Sequence, residues 1–124
     1  MFCRIYLFFG NSSVEAILTT LSKIIDAELV DFRYVEKNGY NLEIRKNKEY
    51  NSEQAKGFPD GFLFFPYSIE LEIDDSISLS YIVKDVDNVL KYLWESGYAA
   101  IASCSFENRL LKNGGYKSKE IPWI

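Results

Sequence analysis

Apolar residues recur with two different periods along this chain. A period of two, typical of strands with one buried face, is clearest at 3–9 and at 69–73, where Glu70 and Glu72 alternate with aliphatic residues. Asn38-Gly39 separates two runs rich in β-formers, which is typical of a tight hairpin. The predicted strands span residues 3–9, 28–35, 40–45, 62–73 and 98–106.

A helical period of three and four residues predicts two amphipathic helices. The first follows a capping box formed by Ser12 and Glu15 and carries apolar residues at helical spacing over 14–25. The second spans about 80–95, and Gly97 is placed to end it.

Two segments lack a regular period. Residues 46–61 are polar and read as a long loop that is functional, mobile or contains a short element. Phe62 to Phe65 is an apolar run that we expect to join the next strand through a bend or bulge at Pro66, because proline cannot donate to a ladder. The tail, about 108–124, is expected on the surface, with its apolar end, 121–124, docked on the domain.

These elements predict one α+β domain over residues 1–124 with the order β-α-β-β-β-α-β. The order matches a ferredoxin-like, split β-α-β fold with one extra strand, in which an antiparallel sheet carries two helices on one face. Either one of the hairpin strands is added at the edge, or the sheet order differs from the parent fold. In that arrangement the last strand lies beside the first, which would place Cys3 near Cys104.

Composition narrows the class of protein. With 48% hydrophobic residues in 124, the chain can fill a core without a metal or a disulfide. No apolar run approaches the roughly 20 residues of a membrane span, and Arg4 interrupts the apolar start. We therefore expect a cytoplasmic protein, not bound to a membrane, with both cysteines as buried, inert thiols.

Charge is unevenly distributed. The net charge is −4, but residues 60–95 hold eight acids and two lysines, a local balance of −6, so the rest of the chain carries +2. An acidic middle argues against nucleic-acid binding, which needs clustered cations. It suits a basic protein partner, although an acidic surface also serves solubility alone.

The chain offers little catalytic chemistry. It contains no histidine, which removes the common nucleophile–base pairs and most catalytic zinc sites. Glu70 and Glu72 share a strand face, with Cα atoms roughly 6.5 Å apart, but a hydrated sheet face would not raise the pKa that a glycosidase acid needs. Asp74-Asp75 has no further ligands at calcium spacing. We predict no catalytic residue, no metal and no cofactor.

Part of the chain resembles a known group. The run from Phe62 to Ile73, the second helix and the run from Ala102 to Glu107 resemble small bacterial immunity proteins of polymorphic or contact-dependent toxin systems. The similarity covers about residues 60–110 and rests on structural motifs. It implies a protein that binds a cognate toxin domain, often a nuclease, and blocks the toxin's active site.

The residues and the resemblance lead to one hypothesis for the site. Glu70, Glu72, Asp74 and Asp75 would form an acidic contact face for a basic toxin domain, with Tyr67 as its aromatic anchor. Two alternatives stay open: a small-ligand or regulatory ferredoxin-like module, either monomeric or dimeric, and a carboxylate-dependent hydrolase.

Overall fold

The computed structural model describes residues 1–124 and has an α+β architecture with six strands and two helices. All strand pairs are antiparallel, and the sheet order is β2-β3-β4-β5-β1-β6. The elements are β1 Phe2–Phe8, α1 Val14–Ile24, β2 Glu28–Val30, β3 Tyr34–Lys37, β4 Tyr40–Lys46, β5 Tyr67–Ile73, α2 Leu79–Glu95 and β6 Ala99–Cys104.

The predicted strand at 28–35 is two strands, so the predicted count of five strands is wrong. The chain reverses where Asp31 and Phe32 adopt left-handed backbone angles, and Arg33 N donates to Val30 O at 3.0 Å. Sequence reasoning missed this turn because phenylalanine favours strands and is rarely found at a positive φ. The Asn38-Gly39 hairpin is confirmed, since Lys37 pairs with Tyr40.

Residues 62–65 do not belong to a strand, contrary to the prediction. Asp60–Phe64 forms a 3₁₀ helix, and Phe65 N donates back to Phe62 O at 3.1 Å. Strand β5 begins only at Tyr67, after Pro66. The phenylalanines of this run pack against the sheet. Their burial explains why the run is apolar, although its backbone does not pair with a strand.

Both helices are confirmed, with one change at the first. The side chain of Ser13, not Ser12, caps α1 by accepting a hydrogen bond from Ala16 N at 3.1 Å. Helix α2 ends where predicted, and Gly97 adopts a φ of +83° just beyond it. Neither helix is long and apolar enough to cross a bilayer.

Two apolar clusters pack on the sheet, and they contact strand residues that point to opposite faces. The larger cluster includes residues of α1 and α2 together with Ile5, Leu7 and Ile69, and we call the sheet face that bears these strand residues the first face. The smaller cluster packs against Tyr6 and Phe8 on the second face. Its buried members are Ala55, Phe62, Phe65, Ala99, Ile101 and Ile121.

Part of the second face is therefore covered by the 47–66 connection and the C-terminal segment, residues 105–124. Ile121 is buried, and the ring centroid of Trp123 lies 5.1 Å from that of Phe65. The predicted docking of the tail is confirmed. The long connection contains short elements, as one of the sequence alternatives held.

Cys3 and Cys104 are cross-strand neighbours in β1 and β6 and form a disulfide. Their predicted proximity is confirmed, but the prediction of two free thiols is wrong. The register explains the bond: Ser105 N donates to Phe2 O, so the next pair inward is a non-hydrogen-bonded pair, the closer type in antiparallel sheets.

Candidate binding surface

Strand β5 separates the predicted contact residues onto two faces. Glu70 and Glu72 lie on the second face, beside Arg4 and Phe2 of β1. Tyr67 belongs to the first face, where its half-buried ring stacks on Phe9 with centroids 4.6 Å apart. The structure thus brings the two glutamates together and places Tyr67 on the other side of the sheet.

Asp74 and Asp75 lie in the turn between β5 and α2 and are engaged in local contacts. Asp74 Oδ1 accepts hydrogen bonds from the backbone N and the Oγ of Ser76, both at 2.9 Å, and these bonds lower the pKa of Asp74. Asp75 pairs with the N-terminal ammonium at 2.6 Å while its side chain stays 91% exposed. Both carboxylates remain open to solvent at the end of the strand.

A patch of the second face is left uncovered by the 47–66 connection and the C-terminal segment, and we call it the charged face. Its central residues form two rows across three strands: Glu72 lies between Asn41 and Phe2, and Glu70 lies between Glu43 and Arg4. The charged face consists of Phe2, Arg4, Asn41, Glu43, Glu70 and Glu72.

Sequence reasoning missed four residues of this surface, Arg4, Asn41, Glu43 and Phe2, and Phe2 is the aromatic one. This residue is 53% exposed, and it lies next to Glu72 in the register. The predicted first strand began at Cys3, one residue too late. Extending the period-two alternation back by one residue would have placed Phe2 on the same face as Arg4.

The carboxylates of the charged face differ in how far they are neutralised. Arg4 Nη2 lies 3.1 Å from Glu70 Oε1, and Arg45 Nε lies 3.8 Å from Glu70 Oε2 and also pairs with Glu43. Glu72 is exposed and forms no ion pair. The neighbouring Tyr6 side chain raises the pKa of Arg4, burial opposes this, and Glu70 adds to the rise.

A second polar cluster lies away from this surface, where the β3–β4 hairpin packs on α2. Asp85 is buried and accepts hydrogen bonds from Tyr40 Oη at 2.7 Å and Lys37 Nζ at 3.0 Å. Burial and the bond to Asp85 raise the pKa of Tyr40 above its usual range. Burial alone would lower the pKa of Lys37, but the hydrogen bond to Asp85 and the nearby Tyr81 ring outweigh it, so that pKa is raised.

No group of three or more cysteine, aspartate or glutamate side chains is arranged to hold a metal ion. No protein-family model, no curated protein and no solved structure matches this chain.

Proposed function

We propose that this chain is an immunity protein that binds and neutralises a cognate, basic toxin domain of nuclease type through the charged face. The observation that supports this most is the pair Phe2 and Glu72, an exposed aromatic ring beside a carboxylate without an ion pair, on an uncovered part of the sheet. Aromatic anchors and complementary charge are the features that give interfaces affinity and specificity.

In this proposal the anchor is Phe2 and not Tyr67, because Tyr67 lies on the opposite face. Glu72 would meet the cations with which a nuclease binds phosphates. Arg4, Glu70 and Arg45 are already held in ion pairs, so little side-chain freedom would be lost when the partner binds. The partner thus meets a surface that is organised before contact.

We also propose that the fold is ferredoxin-like, with both helices covering the first face. The strand order β4-β5-β1-β6, with α1 following β1 and α2 following β5, supports this assignment, and β2 and β3 would then be an added hairpin at the edge. Such a sheet offers its second face to partners. The cytoplasmic location stays part of the proposal, and because the cytosol keeps thiols reduced, it requires Cys3 and Cys104 to be unbonded there and to form their disulfide only under oxidising conditions.

The proposal is tested by co-expressing the chain with the product of the adjacent reading frame and capturing the complex by affinity. We expect a one-to-one complex that abolishes the toxicity of the neighbour. Glu72→Lys should weaken that complex by about tenfold or more, because a like charge facing a basic partner costs at least 1.4 kcal/mol.

Glu95→Lys is the matched control, because Glu95 is an exposed acid at the end of α2 and carries the same change in net charge. It should leave affinity within about twofold, as expected for a charge outside the contact surface. Equal weakening by both substitutions would indicate a net-charge effect, and no weakening by Glu72→Lys would exclude the charged face.

A second candidate function, a small-ligand or regulatory module, is favoured by one further feature of the second face. This feature is a recess lined with cations, described below. Catalysis by a carboxylate pair gains no comparable support, because Glu70 is neutralised by two arginines.

A further inference from the structure

A polar recess of about 300 Å³ opens where β4 leaves the sheet and the 47–66 connection begins. None of the side chains that line it is hydrophobic. Ser68 and Asn47 contribute uncharged polar groups. The charged groups that line it are Arg4, Arg45, Lys46, Lys48, Glu49 and Glu70.

The balance of charge in this recess is positive, although the whole chain is acidic. Four cations and two carboxylates line it, and Glu43 beside it pairs with Arg45, so the local balance is +1 in a protein whose net charge is −4. Glu70 forms ion pairs with Arg4 and Arg45. Glu43 lies just outside the lining and forms an ion pair with Arg45. Lys46 and Lys48 form no ion pair, so neither charge is neutralised within the protein. Lys48 lies in the connection, whereas Lys46 lies opposite Tyr67 in the register and lines the recess from the end of β4.

The backbone that carries these lysines is held in place by Asn47. Its Nδ2 donates to Leu63 O at 3.0 Å and to Phe65 O at 2.8 Å, and its backbone N donates to Pro66 O at 2.8 Å. Its Oδ1 accepts from Glu49 N at 3.1 Å. The turn that presents Lys46 and Lys48 is therefore fixed before any ligand arrives, which reduces the entropy lost on binding.

One donor of the recess is also unused within the protein. Arg4 Nε is buried and has no hydrogen-bond partner, while its neighbour Nη2 is bound to Glu70. A buried guanidinium nitrogen without an acceptor is costly, and a nearby anion lowers that cost by its field. Arg4 lines the recess, so an anion bound there would lie near this guanidinium.

We propose that this recess binds the phosphate group of a small phosphomonoester. A phosphomonoester carries close to two negative charges at neutral pH, and the excess of cations over carboxylates at the recess attracts such an anion. Arginine donors and lysine point charges are the groups that proteins use to hold phosphate. The absence of apolar side chains argues against a hydrophobic ligand, and the volume exceeds that of a phosphate ion alone.

The test is titration calorimetry of the isolated chain with glycerol phosphate and inorganic phosphate at constant ionic strength, with sodium chloride as the blank. We expect saturable binding of one phosphate per chain. Lys46→Ala with Lys48→Ala should lower the affinity at least about tenfold, and both lysines are exposed, so the variant should keep its fold. Lys84→Ala with Lys91→Ala, on exposed positions of α2, should bind like the wild type.

Two outcomes would overturn the proposal: no saturable binding at about 10 mM phosphate, or equal loss of affinity in both double variants, which would indicate non-specific attraction. A third arm uses the phosphodiester thymidylyl-thymidine. Tighter binding of this diester than of the monoester would assign the recess to a nucleic-acid backbone instead. Because no toxin is present, failure here leaves the proposed immunity function untouched.

Discussion

Asp85 is a buried acid on a helix whose sequence pattern gives no sign that it is buried. Its carboxylate lies between Tyr40 and Lys37, which come from the hairpin 45 and 48 residues earlier in the chain. An unpaired carboxylate at this depth would be strongly destabilising, so the two donors are what make the position tolerable. The negative charges of Glu70 and Asp75 are likewise compensated by cations from β1, β4 and the N-terminus. A charge count over residues 60–95 could not reveal these ion pairs, because the cations lie outside that range.

The Tyr40–Asp85–Lys37 cluster predicts a loss of stability at alkaline pH. The pKa values of Tyr40 and Lys37 are both raised in the folded protein. Their unfolded values are about 10 and about 10.4, so above that range the unfolded chain binds fewer protons than the native one. The free energy of unfolding should therefore be intact below about pH 10 and fall as pH rises beyond it.

Tyr40→Phe removes one of these two groups, and the measurement is urea unfolding between pH 8 and pH 11. The variant should be less stable at pH 8 by about 1–3 kcal/mol, through the lost hydrogen bond to a charged acceptor. Its stability should then decline less steeply above pH 10. Tyr50→Phe, at an exposed phenol, is the control and should follow the wild type. Identical alkaline slopes for all three proteins would show that the cluster is not the cause.

At the scale of elements, the helices and the strands with clear alternation could be predicted because their patterns are local. Helix α1 shows this, since its apolar stripe and its end lie within a dozen residues, although its cap is Ser13 and not the predicted Ser12. The 47–66 connection could not be predicted, because its conformation depends on distant partners. Phe65 packs on Trp123, and Asp60 accepts a hydrogen bond from Tyr116 at 2.7 Å. The apolar run at 62–65 is compatible with a buried strand, but it is equally compatible with burial beneath the C-terminal segment.

The C-terminal segment docks on β6 through a close backbone contact at Gly114. A Cβ added to this residue would lie 2.8 Å from Ala102 O and 3.0 Å from Ala102 Cβ, and its φ is +74°. Gly114→Ala should therefore lower stability by about 2–4 kcal/mol, combining left-handed strain with overpacking. Urea unfolding gives that value, and trypsin should cleave faster at Lys117 and Lys119.

Gly97→Ala separates the two causes. Gly97 has a similar φ of +83°, but nothing lies within 4 Å of an added Cβ. This variant should lose only about 1 kcal/mol, and cleavage of the tail should stay slow. If the two alanine variants prove equally stable and equally resistant to trypsin, the tail does not pack on β6 as described.

At the scale of the whole molecule, the disulfide joins the first strand to the last. Cys3 and Cys104 are 101 residues apart, so their bond closes most of the chain into one loop. Cross-linking a loop of this length restricts the unfolded ensemble and is associated with about 2–5 kcal/mol of stability in small domains. The proximity of the two cysteines could be predicted from topology, because a last strand beside the first brings them together. Whether they form a disulfide or remain thiols could not be predicted.

We expect Cys3→Ala with Cys104→Ala to lower the free energy of unfolding by about 2–4 kcal/mol, because the gain comes from the unfolded chain and the apolar packing changes little. The reduced wild type should match the double variant in urea unfolding, and reductant should leave the double variant unchanged. Under denaturing conditions iodoacetamide should label the wild type only after reduction, and then at two sites. Labelling without reductant would mean that the thiols are free. The core and the tail, and not a covalent link, would then hold β6 beside β1.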